Sequence, residues 1–196
     1  MTKAEKTKQF IIEKTAPIFN KKGFTGTSLN DMTVATGLTK GSIYGNFGNK
    51  DEVVLAAFDY NYGQISRHMI QQMHQKNTAT EKLQVYLDTF AGFHTNPLLQ
   101  YGCPILNTAT ESDDTHPELR KKAASAIEKW QIAIATLVAE GIRDGEFKPE
   151  EDVTAFAYGF IAVIEGGIMI TKVTGNMAGL KSAMQVAQKM IMALQA

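Results

Sequence analysis

With 196 residues, 44% of them hydrophobic and 20% charged, the chain can form one sizeable domain or two small ones whose core needs no covalent staples. A single cysteine excludes a disulfide framework within one chain, and the basic start MTKAEKTKQ has no apolar run behind it, so a cytoplasmic protein without a signal peptide is expected. The net charge of zero hides an asymmetry: residues 1–50 hold eight lysines against three acids, a net +5, and the rest carries −5, so a polyanionic partner is expected for the head alone.

Nearly every segment has helical periodicity, and an all-α fold of about nine helices is predicted. The first helix covers about residues 3–21, with Ile12, Ala16 and Phe19 on one stripe and Gly23 as its stop. Pro17 inside that pattern predicts a kink, because proline removes a backbone donor and crowds the preceding turn. Thr27 or Ser28 caps a short helix through about Ala35, with Leu29 and Met32 inward, and Gly37 breaks it. Thr39 caps the next short helix, through Phe47. Asn49 and Glu52 then make a capping-box pattern before a long helix whose apolar residues fall at 55, 58, 62, 65 and 69.

Further along, Leu83, Leu87, Phe90 and His94 form a stripe, and Gly102-Cys103-Pro104 reads as a turn entering another helix. Pro117 suits a first helical turn. The helix it opens carries Leu119, Ala123, Ile127, Trp130, Ile134 and Leu137 on one face and stops near Gly145. Val153, Phe156, Phe160, Ile164 and Ile168 mark the next, and Leu180, Met184, Ala187, Ile191 and Leu194 the last. The most hydrophobic window, 153–171, carries Glu165 and three glycines among amphipathic neighbours; a buried helix is expected there, and no membrane span.

The segment LTKGSIYGNFGNK, residues 38–50, is a poor helix by propensity, since an interior glycine costs about 1 kcal/mol relative to alanine. Leu38, Ile43 and Phe47 are its core formers. Two short helices joined by a turn containing Gly37, behind a supporting helix and within the basic head, make a helix-turn-helix pattern. The second is then a recognition helix whose outer face fits a major groove, and Gly41 and Gly45 allow close approach to phosphates and bases.

Residues 23–54, GFTGTSLNDMTVATGLTKGSIYGNFGNKDEVV, resemble the DNA-binding signature of the TetR family of transcriptional regulators. The matching positions, in register and without gaps, are Gly23, Phe24, Thr27, Ser28, Gly37, Gly41, Tyr44, Phe47 and Lys50. Two positions depart: the family often has Ala at Thr33 and His or Tyr at Asn46. The resemblance implies a DNA-binding domain over 1–50 and an effector-binding and dimerisation domain over 51–196. It also implies roles for Thr27 and Ser28 at phosphates, for Lys40, Gly41, Ser42, Tyr44, Gly45 and Asn46 at the groove, and for Lys50 at a backbone phosphate. The protein is then a repressor that binds a pseudo-palindromic operator in double-stranded DNA as a homodimer built mainly from the last two helices, and is released by a small-molecule effector.

Independently of the resemblance, residues 153–170 are apolar almost all round and interleaved with Ala155, Ala157, Gly159, Ala162, Gly166 and Gly167, so the helix must be covered on all sides; a partner subunit is the expected cover. Aromatic residues at Tyr60, Phe90, Phe93, Trp130, Phe156 and Tyr158, together with Cys103, are candidates to line an effector pocket. Cys103 at a helix start favours a thiolate, and Lys172 is the candidate cation beside it, which opens an alternative in which oxidants or electrophiles act on the thiol. The resemblance extends to this Gly-Cys step, which is similar to that of electrophile-responsive members of the family.

Enzyme chemistry finds no support: there is no phosphate-cradling GxxxxGK, no GxGxxG after a strand and no nucleophile elbow. His68, His74, His94 and His116 lack metal-ligand spacing, so neither a metal nor a cofactor is expected. A helical protein-interaction module without DNA binding would leave the basic head unexplained.

Overall fold

The computed structural model of the chain describes residues 1–93, 95–149 and 152–196. Among them are nine α-helices, α1 (Lys3–Gly26), α2 (Leu29–Thr36), α3 (Lys40–Tyr44), α4 (Lys50–Met73), α5 (Ala79–Ala91), α6 (Pro104–Ser112), α7 (Pro117–Arg143), α8 (Val153–Thr174) and α9 (Ala178–Leu194). The described residues form no strand beyond an isolated bridge between Phe147 and Gln195. His94, placed on the α5 stripe by its spacing, lies outside the described residues. Packing separates two compact units, one of residues 1–65 with 104–124, the other of 66–103 with 125–196.

In the first unit α1 opens on a capping box: the Thr2 hydroxyl accepts from the Glu5 N–H at 3.2 Å, and the Glu5 carboxylate accepts from the Thr2 N–H at 2.7 Å. Ile11, Thr15, Ala16 and Phe19 are its buried side chains, whereas Ile12 is only half-buried. Pro17 lies inside α1 with helical backbone angles, and the break in α1 falls at Gly23 (φ 73°, ψ −179°), the one residue inside it with non-helical angles. The carbonyl that Pro17 leaves without its helical donor belongs to Glu13, an exposed residue. Met32, Ile43, Phe47, Val53 and Ala57 complete the small core. Leu38 is half-buried.

The second unit is built on α8 against α9, with α5 across them. Gly167 permits the close α8–α9 approach, since a Cβ there would run into the Ala183 side chain. The Thr171 hydroxyl accepts from the Leu180 N–H at 3.1 Å and fixes the start of α9. Glu146 caps α5 from outside its own sequence, its carboxylate accepting from the N–H groups of Ala79 and Thr80, both at 2.8 Å. α8 is long and apolar enough to cross a membrane by length and composition, with a mean hydropathy of 1.8 over its most apolar window. One side of it, from Phe156 through Ile164 to Ile168, is nonetheless buried within this unit.

Candidate functional site

The helix-turn-helix is assembled by caps. Ser28 precedes α2, where its hydroxyl accepts from the Asp31 N–H at 3.1 Å, and Asp31 returns the bond to the Ser28 N–H at 2.8 Å. Lys22 closes on the same carboxylate at 2.7 Å. That ammonium first, and the Ser28 N–H and hydroxyl after it, hold Asp31 well below the usual carboxylate range. Gly37 ends α2 in the left-handed region (φ 67°), its N–H reaching the Thr33 carbonyl at 2.8 Å. Thr39 then caps α3 through the Ser42 N–H at 3.2 Å.

α3 ends at Tyr44, a turn earlier than its sequence pattern suggests, and the chain tightens there, the Asn46 N–H reaching back three residues to the Ile43 carbonyl at 3.0 Å. Ile43 and Phe47 point inward and are buried. Lys40, Gly41 and Gly45 are exposed on the outer face, with Ser42, Tyr44 and Asn46 half-buried beside them. The Asn46 amide donates to the Ser42 carbonyl at 2.8 Å, which leaves its oxygen for an outside donor. Ser28 is exposed, but Thr27 is fully buried and its hydroxyl donates to the Gly23 carbonyl at 2.6 Å, so Thr27 offers backbone position and no side-chain contact. The Lys50 ammonium lies 4.3 Å from the centroid of the Phe24 ring, a cation–π contact that holds the head of the side chain at the start of α4.

Behind this surface are two contacts that sequence reasoning missed. Glu111 on α6 accepts hydrogen bonds from the N–H groups of Phe24 (2.8 Å) and Thr25 (2.9 Å), capping the short turn after Gly23. His116 accepts from the Leu119 N–H on Nδ1 at 3.2 Å, which puts its proton on Nε2, facing Asp51 Oδ1 at 3.2 Å; its ring meets Phe24 edge-on. The positive φ of Gly23 is the only local trace of the Glu111 contact.

In the second unit three of the candidate pocket residues come together. Trp130 packs on Phe90 (ring centroids 5.3 Å apart) and on Tyr86 (5.9 Å), Tyr86 meets Phe160 edge-on at 6.1 Å, and Phe156 stacks on Phe160 at 5.5 Å. Trp130 Nε1 is buried without a partner. Phe93 is buried as well, Tyr158 is 53% exposed on the outer side of α8, and Tyr60 belongs to the first unit, where its hydroxyl accepts from Gln64 at 3.2 Å. A groove of about 480 Å³ between Ala91, Met177 and the α9 residues Leu180, Lys181, Met184 and Gln185 contains none of the candidates.

Cys103, which forms no disulfide, is buried after Gly102 in the left-handed region (φ 98°) and before Pro104. Lys172 acts on it electrostatically, so the cation named from sequence belongs to the same cluster. The third member is Glu165, read from sequence only as an obstacle to a membrane span. Burial pushes its carboxyl up to about 7, against the opposing pull of Cys103 and Lys172.

Residues 11–57 match the family described as bacterial regulatory proteins, tetR family, and residues 79–187 match the tetracyclin repressor-like C-terminal domain. A transcriptional regulator of the TetR family from Cytophaga hutchinsonii is 43% identical over all of this chain and 98% of its own, with a TM-score of 0.93. A TetR transcriptional regulator from Chloroflexus aurantiacus is 35% identical with the same coverage and TM-score. An uncharacterized HTH-type transcriptional regulator from Lactococcus lactis subsp. lactis is 28% identical over 90% of this chain and 88% of its own.

Proposed function

The chain belongs to the TetR family of transcriptional regulators and is a DNA-binding regulator, not an enzyme; on that premise we propose that it is a cytoplasmic homodimeric repressor released from a pseudo-palindromic operator by a small effector. The observation that carries the reading is the two-sidedness of α3 and the turn after it, residues 40–47, which bury Ile43 and Phe47, expose Lys40, Gly41 and Gly45, and leave Ser42, Tyr44 and Asn46 half-exposed beside them. Lys40 and Lys50 neutralise phosphates, Ser28 and the backbone at Thr27 position the head, and Tyr44 and Asn46 meet the groove. Asn can pair bidentately with adenine.

Dimerisation is supported by the apolar side chains that α8 and α9 leave exposed: Tyr158, Met169, Ile170, Val173, Val186 and Met192. A dimer brings two recognition helices to half-sites about one helical turn apart. Hydroxyl-radical footprinting on a bound fragment should give two protected patches spaced by about one turn of duplex. Continuous protection without boundaries would refute the repressor reading.

For the effector, residues 51–196 form the binding part, and the Phe90–Trp130–Phe156 cluster, with its unpaired indole N–H, suits an aromatic or amphipathic molecule carrying one acceptor. A second reading is favoured by one observation, the placing of Cys103 beside Lys172 and Glu165: the effector modifies the thiol. Titrating operator binding with an electrophile in wild type and Cys103→Ser separates the two, since loss that persists in the variant excludes the thiol.

A further inference from the structure

Glu165 of α8 carries a buried carboxylate. Both of its carboxylate oxygens are cut off from water and have no hydrogen-bond partner beyond the Cys103 thiol that acts on them. A buried acid served by nothing stronger than a thiol is costly in an apolar helix, and a leucine or glutamine there would cost the fold less. Beside it lie the Cys103 thiol, itself buried, and the Lys172 amine, seven residues on and so on the same face of α8. The side chain of Lys172 reaches solvent, which gives the cluster one wet edge.

We propose that Glu165 is the proton acceptor that turns Cys103 into a nucleophile for small soft electrophiles, α,β-unsaturated carbonyl compounds and quinones, making the acid–thiol pair a covalent effector site. This rests on the reading of Cys103 as the effector-responsive residue. The Cys103 S–H proton passes to a Glu165 oxygen, and the thiolate sulfur attacks the β-carbon, forming the S–C bond. The C=C electron pair moves onto the carbonyl as an enolate, which takes the proton back from Glu165 at its α-carbon. The product is a thioether with the carboxylate restored, and no external oxidant or reductant is consumed. The Lys172 cation faces the negative charge as it passes from sulfur to enolate oxygen.

The acid suits the task because a general base works best when its proton affinity is near ambient pH. An ordinary glutamate, at about 4.3, lies some four units below a free thiol at about 8.5 and would rarely hold its proton. Raised by burial to about 7, Glu165 is partly ionised at neutral pH and much closer to the thiol. The described ionisable groups acting on it are Cys103, from the loop before α6, and Lys172 on its own helix. The charged residues of the helices packed on α8, namely Lys181 and Lys189 of α9 and Glu81, Lys82 and Asp88 of α5, are not among them.

The test is the rate of Cys103 alkylation by N-ethylmaleimide, followed by intact mass between about pH 5.5 and 9.5 for the full-length wild type, Glu165→Gln and Lys172→Met, with N-acetylcysteine as the free-thiol reference. The wild-type rate should rise with a midpoint near 7, well below the reference. Glu165→Gln should lose that midpoint and react about tenfold or more slowly at neutral pH. Lys172→Met should slow the reaction while keeping a carboxylate-controlled midpoint. Identical profiles for wild type and Glu165→Gln overturn the role of Glu165 and leave Cys103 as the responsive residue. A native Cys103 that does not react at any pH, but reacts once unfolded, overturns the Cys103 reading and this one together. Should Glu165→Gln fail to fold, the wild-type profile decides alone, because a midpoint at the reference value contradicts the proposal.

Discussion

The carboxylate of Glu111 accepts a 2.8 Å hydrogen bond from the backbone N–H of Phe24, across 87 positions of sequence. A second bond, from the Thr25 N–H at 2.9 Å, makes Glu111 the cap of the turn that leads into α2. Gly23 is required twice over: its φ is +73°, and a Cβ there would run into the Glu111 carboxylate. Phe24 in turn carries the Lys50 ammonium over its ring, so Glu111 of α6 and Lys50 of α4 share one support within this unit.

Glu111→Ala removes both acceptors and should lower stability by about 1–2 kcal/mol, most of it restored in Glu111→Gln, which keeps one acceptor. Gly23→Ala should cost about as much through backbone strain alone. Chemical denaturation of the three variants measures this. Wild-type stability in Glu111→Ala would show that water caps the turn equally well.

Glu165 gives stability a pH dependence whose sign follows from its raised value. The folded protein holds the proton more tightly than the unfolded chain, so its contribution is fully present below about 4.5 and is lost as pH rises through about 7. The loss is on the order of 3 kcal/mol by about pH 8. Glu165→Gln should flatten the dependence and melt higher than wild type at pH 8. Parallel melting-temperature profiles from pH 5 to 8.5 would contradict the burial of this acid.

Much of the head is legible in sequence because its determinants are local. Ser28, Gly37 and Thr39 each act within three or four residues, so caps and turn follow from spacing. The run at 55, 58, 62, 65 and 69 marks one side of α4, where Phe58, Ile65 and Met69 are buried, but it leaves out the buried Val53, Val54 and Ala57 and includes the half-buried Leu55 and Tyr62. The break in α1 falls at Gly23, where the turn is capped by a carboxylate far away in the chain. Glu111 and Glu165 are illegible for the same reason: an acid is a cap, a proton acceptor or a solvated charge according to partners far away in the chain. Thr27 matches a signature yet has a spent hydroxyl, since a motif records residue type and not exposure.

Gly166 has open space around its missing Cβ in the single chain, unlike Gly167. Gly166→Leu should therefore leave the protomer folded and push a partner on α8 away, converting a dimer to a monomer in light scattering at micromolar concentration. Wild type that is itself monomeric there would place the apolar face of Val173, 83% exposed, outside any self-interface.

Lys40→Ala and Lys50→Ala should weaken DNA binding across all sequences and lower the slope of log affinity against log salt by about one per lost phosphate contact. Tyr44→Ala and Asn46→Ala should instead cost about 1–3 kcal/mol on the preferred site with little change in slope. A salt titration of fluorescence anisotropy with each variant separates the two kinds of contact. Unchanged affinity in all four would remove α3 from the interface.

The most direct measurement is retention of sheared DNA from the source genome by the purified protein at near-physiological salt, with sequencing of what is held. The account predicts a few fragments sharing an inverted repeat, retained by wild type and lost in Lys40→Ala combined with Tyr44→Ala. Retention of all fragments alike, or of none even at low salt, would contradict the assignment of α3 as a recognition helix.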